Sequence, residues 1–128
     1  MGVFHVKVEV YSLEHPETRQ EVEMVVDTGA FRTVLPRAAV EALGVESDRK
    51  QTFHMVNGKP IERDLGWVGV SLMGKDAHAH VILGERADYA VLGALTLEEL
   101  ELEVDPSRGA LRPMQGFLLL AIAGDVTA

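Results

Sequence analysis

One tripeptide, Asp27-Thr28-Gly29, constrains this chain more than anything else in it, because it stands where an apolar run stops dead. Met24-Val25-Val26 has the composition of a buried strand, and Thr33-Val34-Leu35 leaves the turn in the same style. A carboxylate, a hydroxyl and an uncrowded backbone are thereby held together in one tight turn. Gly29 has no side chain to keep a substrate or a second chain at a distance. With Val25 and Val26 before it and Val34 and Leu35 after it, the Asp27 carboxylate is expected to be walled off from bulk water. A carboxylate so placed has a shifted proton affinity, which acid–base hydrolysis requires. The plainer alternative is an Asp that merely bonds its own backbone at a strand end.

The rest of the chain supplies a scaffold for such a turn. Val3 to Tyr11 alternates, with Phe4, Val6, Val8 and Val10 on one face and His5, Lys7, Glu9 and Tyr11 on the other, the pattern of a half-buried strand. A polar turn over 14–19 returns the chain through Gln20 to Val26, making a hairpin that feeds Asp27. Pro36 to Gly44 reads as a short helix over 37–43, with Pro at its start and Gly as its stop. Thr52 to Val56 and Ile61 onward flank Asn57-Gly58, which predicts a two-residue hairpin turn with positive φ at both central residues. Asn57 is the only asparagine in the chain.

Strands are further expected over 65–73 and 77–83, around Gly74-Lys75-Asp76, and over 88–92, running into Gly93-Ala94. Thr96 is placed to cap a helix over 96–101, with Glu99 at the capping-box position. Another hairpin flanks Asp105-Pro106-Ser107-Arg108-Gly109. Two stretches echo each other, Met24 to Ala30 and Tyr89 to Ala94, each an apolar strand entering Gly-Ala before a helix. The second carries no Asp, so the chemistry belongs to the first.

The 128 residues are expected to form a single domain over 1–128, mainly β, with a core over about 4–113 and a tail over 114–128. A net charge of −8 and a pI near 5.0 argue against nucleic acid or an anionic membrane as partner. The absence of cysteine excludes disulfides and thiolate metal sites. Residues 1–6 lack the basic region and apolar core of a signal peptide, and the run Phe117–Ala123 is too short to span a bilayer, so the expected location is cytoplasmic.

The longer pattern, an apolar pair followed by Asp-Thr-Gly-Ala, two free positions and Thr-Val-Leu, resembles the active-site loop of the retroviral-type (retropepsin-like) aspartic proteases. The order of parts over about 4–113 is similar to theirs: an N-terminal hairpin, the Asp-Thr-Gly loop, a flap hairpin, and an apolar strand ending in Gly before a short helix. The resemblance implies a small closed β domain and an aspartic endopeptidase acting on a peptide or protein substrate, with Asp27 catalytic and Thr28, Gly29 and Ala30 completing the loop. It implies that Thr28 bonds across a two-fold axis, that Gly29 offers its carbonyl to an extended peptide, and that Val56, Asn57, Gly58 and Lys59 form the tip of a flap closing over that peptide. No cofactor is implied.

That chemistry needs two facing carboxylates. None of Asp48, Asp64, Asp76, Asp88, Asp105 and Asp125 stands in a second Asp-Thr-Gly or Asp-Ser-Gly, so the second carboxylate is expected from Asp27 of another copy in a homodimer. The sequence departs from the retroviral pattern in one pair of places. Retroviral members often carry an Asp after the Gly-Ala and an Arg before the last helix, which pair at the dimer interface. Phe31, Arg32 and Ala94 stand there instead, a pattern closer to cellular and bacterial members. Phe31 and the apolar tail are the candidates for replacing the pair.

The rival reading is an inactive module of the same fold, used for dimerisation or peptide binding. His78 and His80 share a strand face and could hold a metal if a carboxylate joined them, but an exposed face is the commoner outcome and no metal is expected. Trp67 is expected in the core or at an interface.

Overall fold

The computed structural model describes residues 3–115. Among these described residues nine strands and two short helices follow one another: β1 (His5–Tyr11), β2 (Arg19–Val26), β3 (Val34–Leu35), α1 (Arg37–Leu43), β4 (Arg49–His54), β5 (Pro60–Leu72), β6 (Lys75–Leu83), β7 (Val91–Leu92), α2 (Ala94–Glu99), β8 (Leu102–Asp105) and β9 (Ala110–Pro113). The chain is mainly β, as its alternation predicts. The tail run Phe117–Ala123 lies outside the described residues.

The main sheet has the order β1-β2-β7-β3-β6-β5-β4, and β1 also pairs with β5. That extra pairing joins Glu9, Val10 and Tyr11 to Ser71, Val70 and Gly69 and closes six of the strands into a ring, which removes the exposed edges an open sheet would present. Inward-facing residues fill the ring. Val8, Val10, Met24, Leu35, Val68, Val70, Val81 and Leu92 are all but inaccessible to water. Both helices pack on this core, α1 through Ala39, Val40 and Leu43, and α2 through Leu97. β8 and β9 form a separate two-stranded sheet around the expected turn over 105–109.

The strand β4 lies outside the ring, paired only with β5. β5 pairs with β6 from Asp64 to Leu72, whereas its residues Pro60 to Arg63 pair with β4 alone. The β4–β5 hairpin therefore projects beyond the sheet as a two-stranded ribbon, with residues 55–59 at its tip.

Four local expectations are corrected. The tip is a three-residue loop, not a two-residue one: the Gly58 N–H donates to Met55 O at 2.8 Å and the Met55 N–H to Lys59 O at 2.9 Å. Only Gly58 (φ 84°) has positive φ there. The Asn57 side chain instead accepts the Lys59 N–H at 2.9 Å, satisfying the turn without a left-handed backbone of its own. The two-residue turn with positive φ at both positions occurs at Met73-Gly74 (φ 52° and 74°), between Leu72 and Lys75. The stretches at 61 onward and 65–73 are one continuous 13-residue strand. Finally, α2 begins at Ala94, after Gly93, and Thr96 lies buried inside it instead of capping it.

Two large aromatic side chains also stand where the pattern did not put them. Tyr11 is buried because its ring lies across Gly69, occupying the space a Cβ there would need, while its hydroxyl donates to Asp76 Oδ2 at 2.5 Å. Trp67 is 50% exposed and stacks on His80 with centroids 4.5 Å apart, so it lies on the surface and not in the core.

Candidate active site

Asp27 is positioned from two sides. Its strand β2 runs parallel to β7, with Val25 opposite Val91 and Val26 opposite Leu92, and the Asp27 N–H donates to Leu92 O at 3.1 Å. The two echoing stretches of sequence are therefore neighbours in space. Beyond Asp27 the chain turns at once: the Ala30 N–H donates to Asp27 O at 3.1 Å, and the Gly29 N–H donates to Asp27 Oδ1 at 2.9 Å. A Cβ on Gly29 would stand 3.2 Å from that same oxygen, so the bond is made most easily where there is none.

The loop is then stitched to the start of α2. Ala30 O accepts the Ala94 N–H at 2.8 Å and Phe31 O accepts the Leu95 N–H at 3.1 Å. Thr33 and Thr96, both buried, share a hydroxyl hydrogen bond of 2.6 Å, and Thr33 Oγ1 also accepts the Gly93 N–H at 3.0 Å. This crossing needs glycine at 93, since a Cβ there would lie 2.5 Å from the carbonyl carbon of Arg32. The sequence signalled Gly93 and the Thr-Val-Leu run, but not that they meet.

The expectation that apolar neighbours wall off the carboxylate is corrected. Asp27, Thr28 and Gly29 are exposed in the single chain, and Ala30 is half-buried. Val26 and Leu35 point into the core, so they hold the loop from beneath and do not cover it. Asp27 and Thr28 instead border a cleft of about 380 Å³ whose walls are apolar: Val3, Phe4 and Val26 on one side, Val104 and Pro106 on the other.

A second apolar groove, of about 300 Å³, lies between the projecting ribbon and the strands beside Asp27. Phe53 and Ile61 enter it from the two arms of the ribbon, and Val34, Ile82 and Val91 from β3, β6 and β7. Tyr89, 83% exposed, stands at its rim. Arg63 and Asp88 join the ribbon to the loop before β7 through a two-pronged bond, Nε to Oδ2 at 2.7 Å and Nη2 to Oδ1 at 3.0 Å. The Arg63 guanidinium holds the Asp88 carboxyl below the usual carboxylate range, helped by the Glu85 N–H, which donates to it at 2.7 Å. Neither member of this pair, nor the groove itself, was visible in the sequence, because each is assembled from segments far apart in the chain.

The ribbon tip is the most exposed part of the site, with Val56 fully in water and Asn57, Gly58 and Lys59 around it. His78 and His80 lie on the outer face of β6. His80 Nε2 is 2.9 Å from Asp48 Oδ1, and His78 is exposed. Among the described residues no three His, Asp or Glu side chains converge as a metal would require, and no helix is long and apolar enough to cross a membrane.

Among solved structures, the chain is similar to EIAV protease complexed with the inhibitor HBY-793, at 20% identity over 77% of this chain and 88% of that one, with a TM-score of 0.58. It is also similar to the simian foamy virus (mac) protease, at 17% identity over 73% and 92% with a TM-score of 0.49, and to a retropepsin-like aspartic protease from Rickettsia conorii, at 22% over 83% and 95% with a TM-score of 0.46. At these identities the first likeness is one of fold. No curated protein sequence matches the chain. A family model, "gag-polyprotein putative aspartyl protease", matches residues 18–99, which take in β2, the Asp27 loop, the ribbon, β7 and α2. The chain belongs to this family of retropepsin-like aspartic proteases.

Proposed function

We propose that the protein is an aspartic endopeptidase, active as a homodimer in which the Asp27 carboxylates of two copies share a site on the two-fold axis. The observation that carries this reading is the intact Asp27-Thr28-Gly29 loop. It is fixed by backbone bonds to Leu92 and Ala94 and presents an exposed carboxylate at the edge of an apolar cleft. One carboxylate holds a proton while the other takes one from water as the oxygen attacks the peptide carbonyl. The protonated partner meanwhile supports the developing oxyanion, and the roles reverse as the amine leaves.

Each remaining residue has a role in this reading. Thr28 bonds across the axis to the other loop. Gly29 offers its carbonyl to the extended substrate, and Ala30 braces the loop on α2. Val56, Asn57, Gly58 and Lys59 close over the substrate from the ribbon tip, adding main-chain hydrogen bonds and excluding water. The groove of Val34, Phe53, Ile61, Ile82 and Val91 receives an apolar side chain of the peptide. A single domain over 1–128 and a cytoplasmic location belong to the same proposal.

The test is Asp27→Asn, which keeps the shape of the loop but cannot take the proton from water. Turnover of a peptide library should vanish while folding and assembly persist. Equal turnover in both proteins would sink the assignment. Turnover by neither, with peptides still bound, would favour the binding module.

A further inference from the structure

His80 takes no part in the peptide chemistry, yet it stands where the ribbon joins the body. It lies on β6 directly opposite Trp67 of β5, and the two rings stack nearly parallel, 8° apart. Its side chain is 14% exposed, with Nε2 2.9 Å from Asp48 Oδ1. An ionised carboxylate can only accept, so Nε2 carries the hydrogen of this bond. Asp48 is the residue through which the chain enters β4, and its own N–H donates to Leu65 O at 2.8 Å. Because β4 pairs with β5 alone, the carboxylate ties the first arm of the ribbon to a strand with which that arm shares no ladder.

His80 is held from the other side as well. Its carbonyl accepts Arg32 Nη1 at 3.1 Å, which among the described residues is the one hydrogen bond of that guanidinium, since Arg32 Nε is buried without a partner. Arg32 directly follows Phe31, whose carbonyl is pinned by the Leu95 N–H. One residue thus spans from the end of the Asp27 loop to the base of the ribbon.

The charges around the ring decide what a proton on it does. The bond from His80 holds the Asp48 carboxyl below the usual carboxylate range, with the His80 and Arg49 charges adding to it, so Asp48 is an anion throughout the range in which an imidazole exchanges its proton. Arg49 on β4 and Arg32 before β3 are the opposing cations. His78 on β6 and the exposed Glu98 and Glu99 on α2 line the same cavity of about 410 Å³ as His80, Arg32 and Trp67. A second proton on the ring turns its hydrogen bond into an ion pair and sets a cation against the Trp67 face.

We infer that His80 is a positioning residue whose protonation sets how firmly the base of the ribbon is held through Asp48. Charged, it grips the carboxylate and stiffens β4. Neutral, it keeps a single hydrogen bond and the ribbon moves more freely. The stiffening is present while the ring is charged and Asp48 ionised, and it is lost as pH rises and the ring gives up its proton. On the peptidase reading, which the grip itself does not require, closure over the substrate is then tighter in mild acid than in mild alkali.

Hydrogen exchange of the full chain tests this without any need for turnover. Between about pH 5.5 and about pH 8, on either side of the imidazole range, protection factors in β4 should fall about three- to tenfold while those in β2 hold. His80→Gln keeps a donor for Asp48 but no charge, so its β4 protection should match the wild-type high-pH value at both pH values, and Asp48→Asn should do the same. His54→Gln removes the other imidazole of β4 and should keep the fall. His80→Phe keeps a ring on Trp67 and loses the bond, so its β4 protection should lie below that of His80→Gln. Wild-type β4 protection that does not change with pH, or a fall that persists in His80→Gln, overturns the inference. So does His80→Phe as protected in β4 as the wild type in acid. The same fall is expected in Asp27→Asn, so failure of the peptidase reading and failure of this inference are read separately.

Discussion

Replacing Thr33 by valine should destabilise the protein more than replacing Thr33 and Thr96 together. Both threonines are almost wholly buried, at 1% and 2% exposure, so water cannot substitute for a lost partner. Thr33 Oγ1 accepts the Gly93 N–H and shares a 2.6 Å bond with the Thr96 hydroxyl. Thr33→Val, nearly the same shape, strands two polar groups at once, and each stranded buried group costs about 1–3 kcal/mol, giving about 2–6 kcal/mol. Thr96→Val leaves the Gly93 bond in place and removes one hydroxyl pair, a loss of about 1 kcal/mol. In the double variant only the Gly93 N–H is stranded, so the loss falls back to about 1–3 kcal/mol. The single Thr33 variant is therefore the worst of the three. Urea unfolding at fixed protein concentration measures this, because assembly shifts the midpoint and must be held constant. A double variant destabilised by the sum of the singles, or by more, would refute the network. So would a Thr33→Val protein within 0.5 kcal/mol of wild type, the range about as small as ordinary surface changes produce.

Other outcomes follow from the same structure. Asp88 is held in its ionised form by Arg63, so the pair stabilises the fold above the carboxyl's unfolded value of about 3.9 and loses that contribution as pH falls through the lower folded value. Arg63→Met should accordingly cost about 1–3 kcal/mol at pH 7, with the deficit vanishing in the acid limb of a pH–stability curve; a deficit independent of pH would show that packing is responsible. Gly58→Val places a β-branched residue at φ 84° and should weaken the ribbon tip by about 1–2 kcal/mol, lowering turnover more than overall stability. Hydrogen exchange in the free protein should find residues 55–59 less protected than β2. Equal protection, unchanged by a peptide-like inhibitor, removes the gating role. Val34→Ala enlarges the groove and should shift preference between peptides towards the bulkier side chain by roughly tenfold, with no shift if the groove is not a substrate subsite.

Much of this protein is legible in the order of its residues. Alternation in Val6, Val8 and Val10 dictates a half-buried strand because the strand period is two, and Pro36 with Gly44 bounds α1 because one fits a helix start and the other a left-handed stop. The Asp27-Thr28-Gly29 motif is local, so its turn and its internal bond could be anticipated. The turn types were less secure. Asn57-Gly58 suits more than one loop, and Asn57's own side chain decided for the three-residue form, while the left-handed pair fell at Met73-Gly74, where a 13-residue strand must reverse.

Where the sequence failed, the determinant was a partner distant along the chain. Thr96 reads as a helix cap by its neighbours, but Thr33, 63 positions away, claims its hydroxyl and draws it into the interior. Tyr11 reads as an outward residue, but Gly69 provides a bed for its ring once β1 pairs with β5. The valines around Asp27 read as a wall, yet closing the strands into a ring turns Val26 and Leu35 inward and leaves the carboxylate in water. Local chemistry settled which residues form turns and which carry the charge. Only the closure of the sheet determined which faces remained open, because burial depends on what the rest of the chain brings to each side.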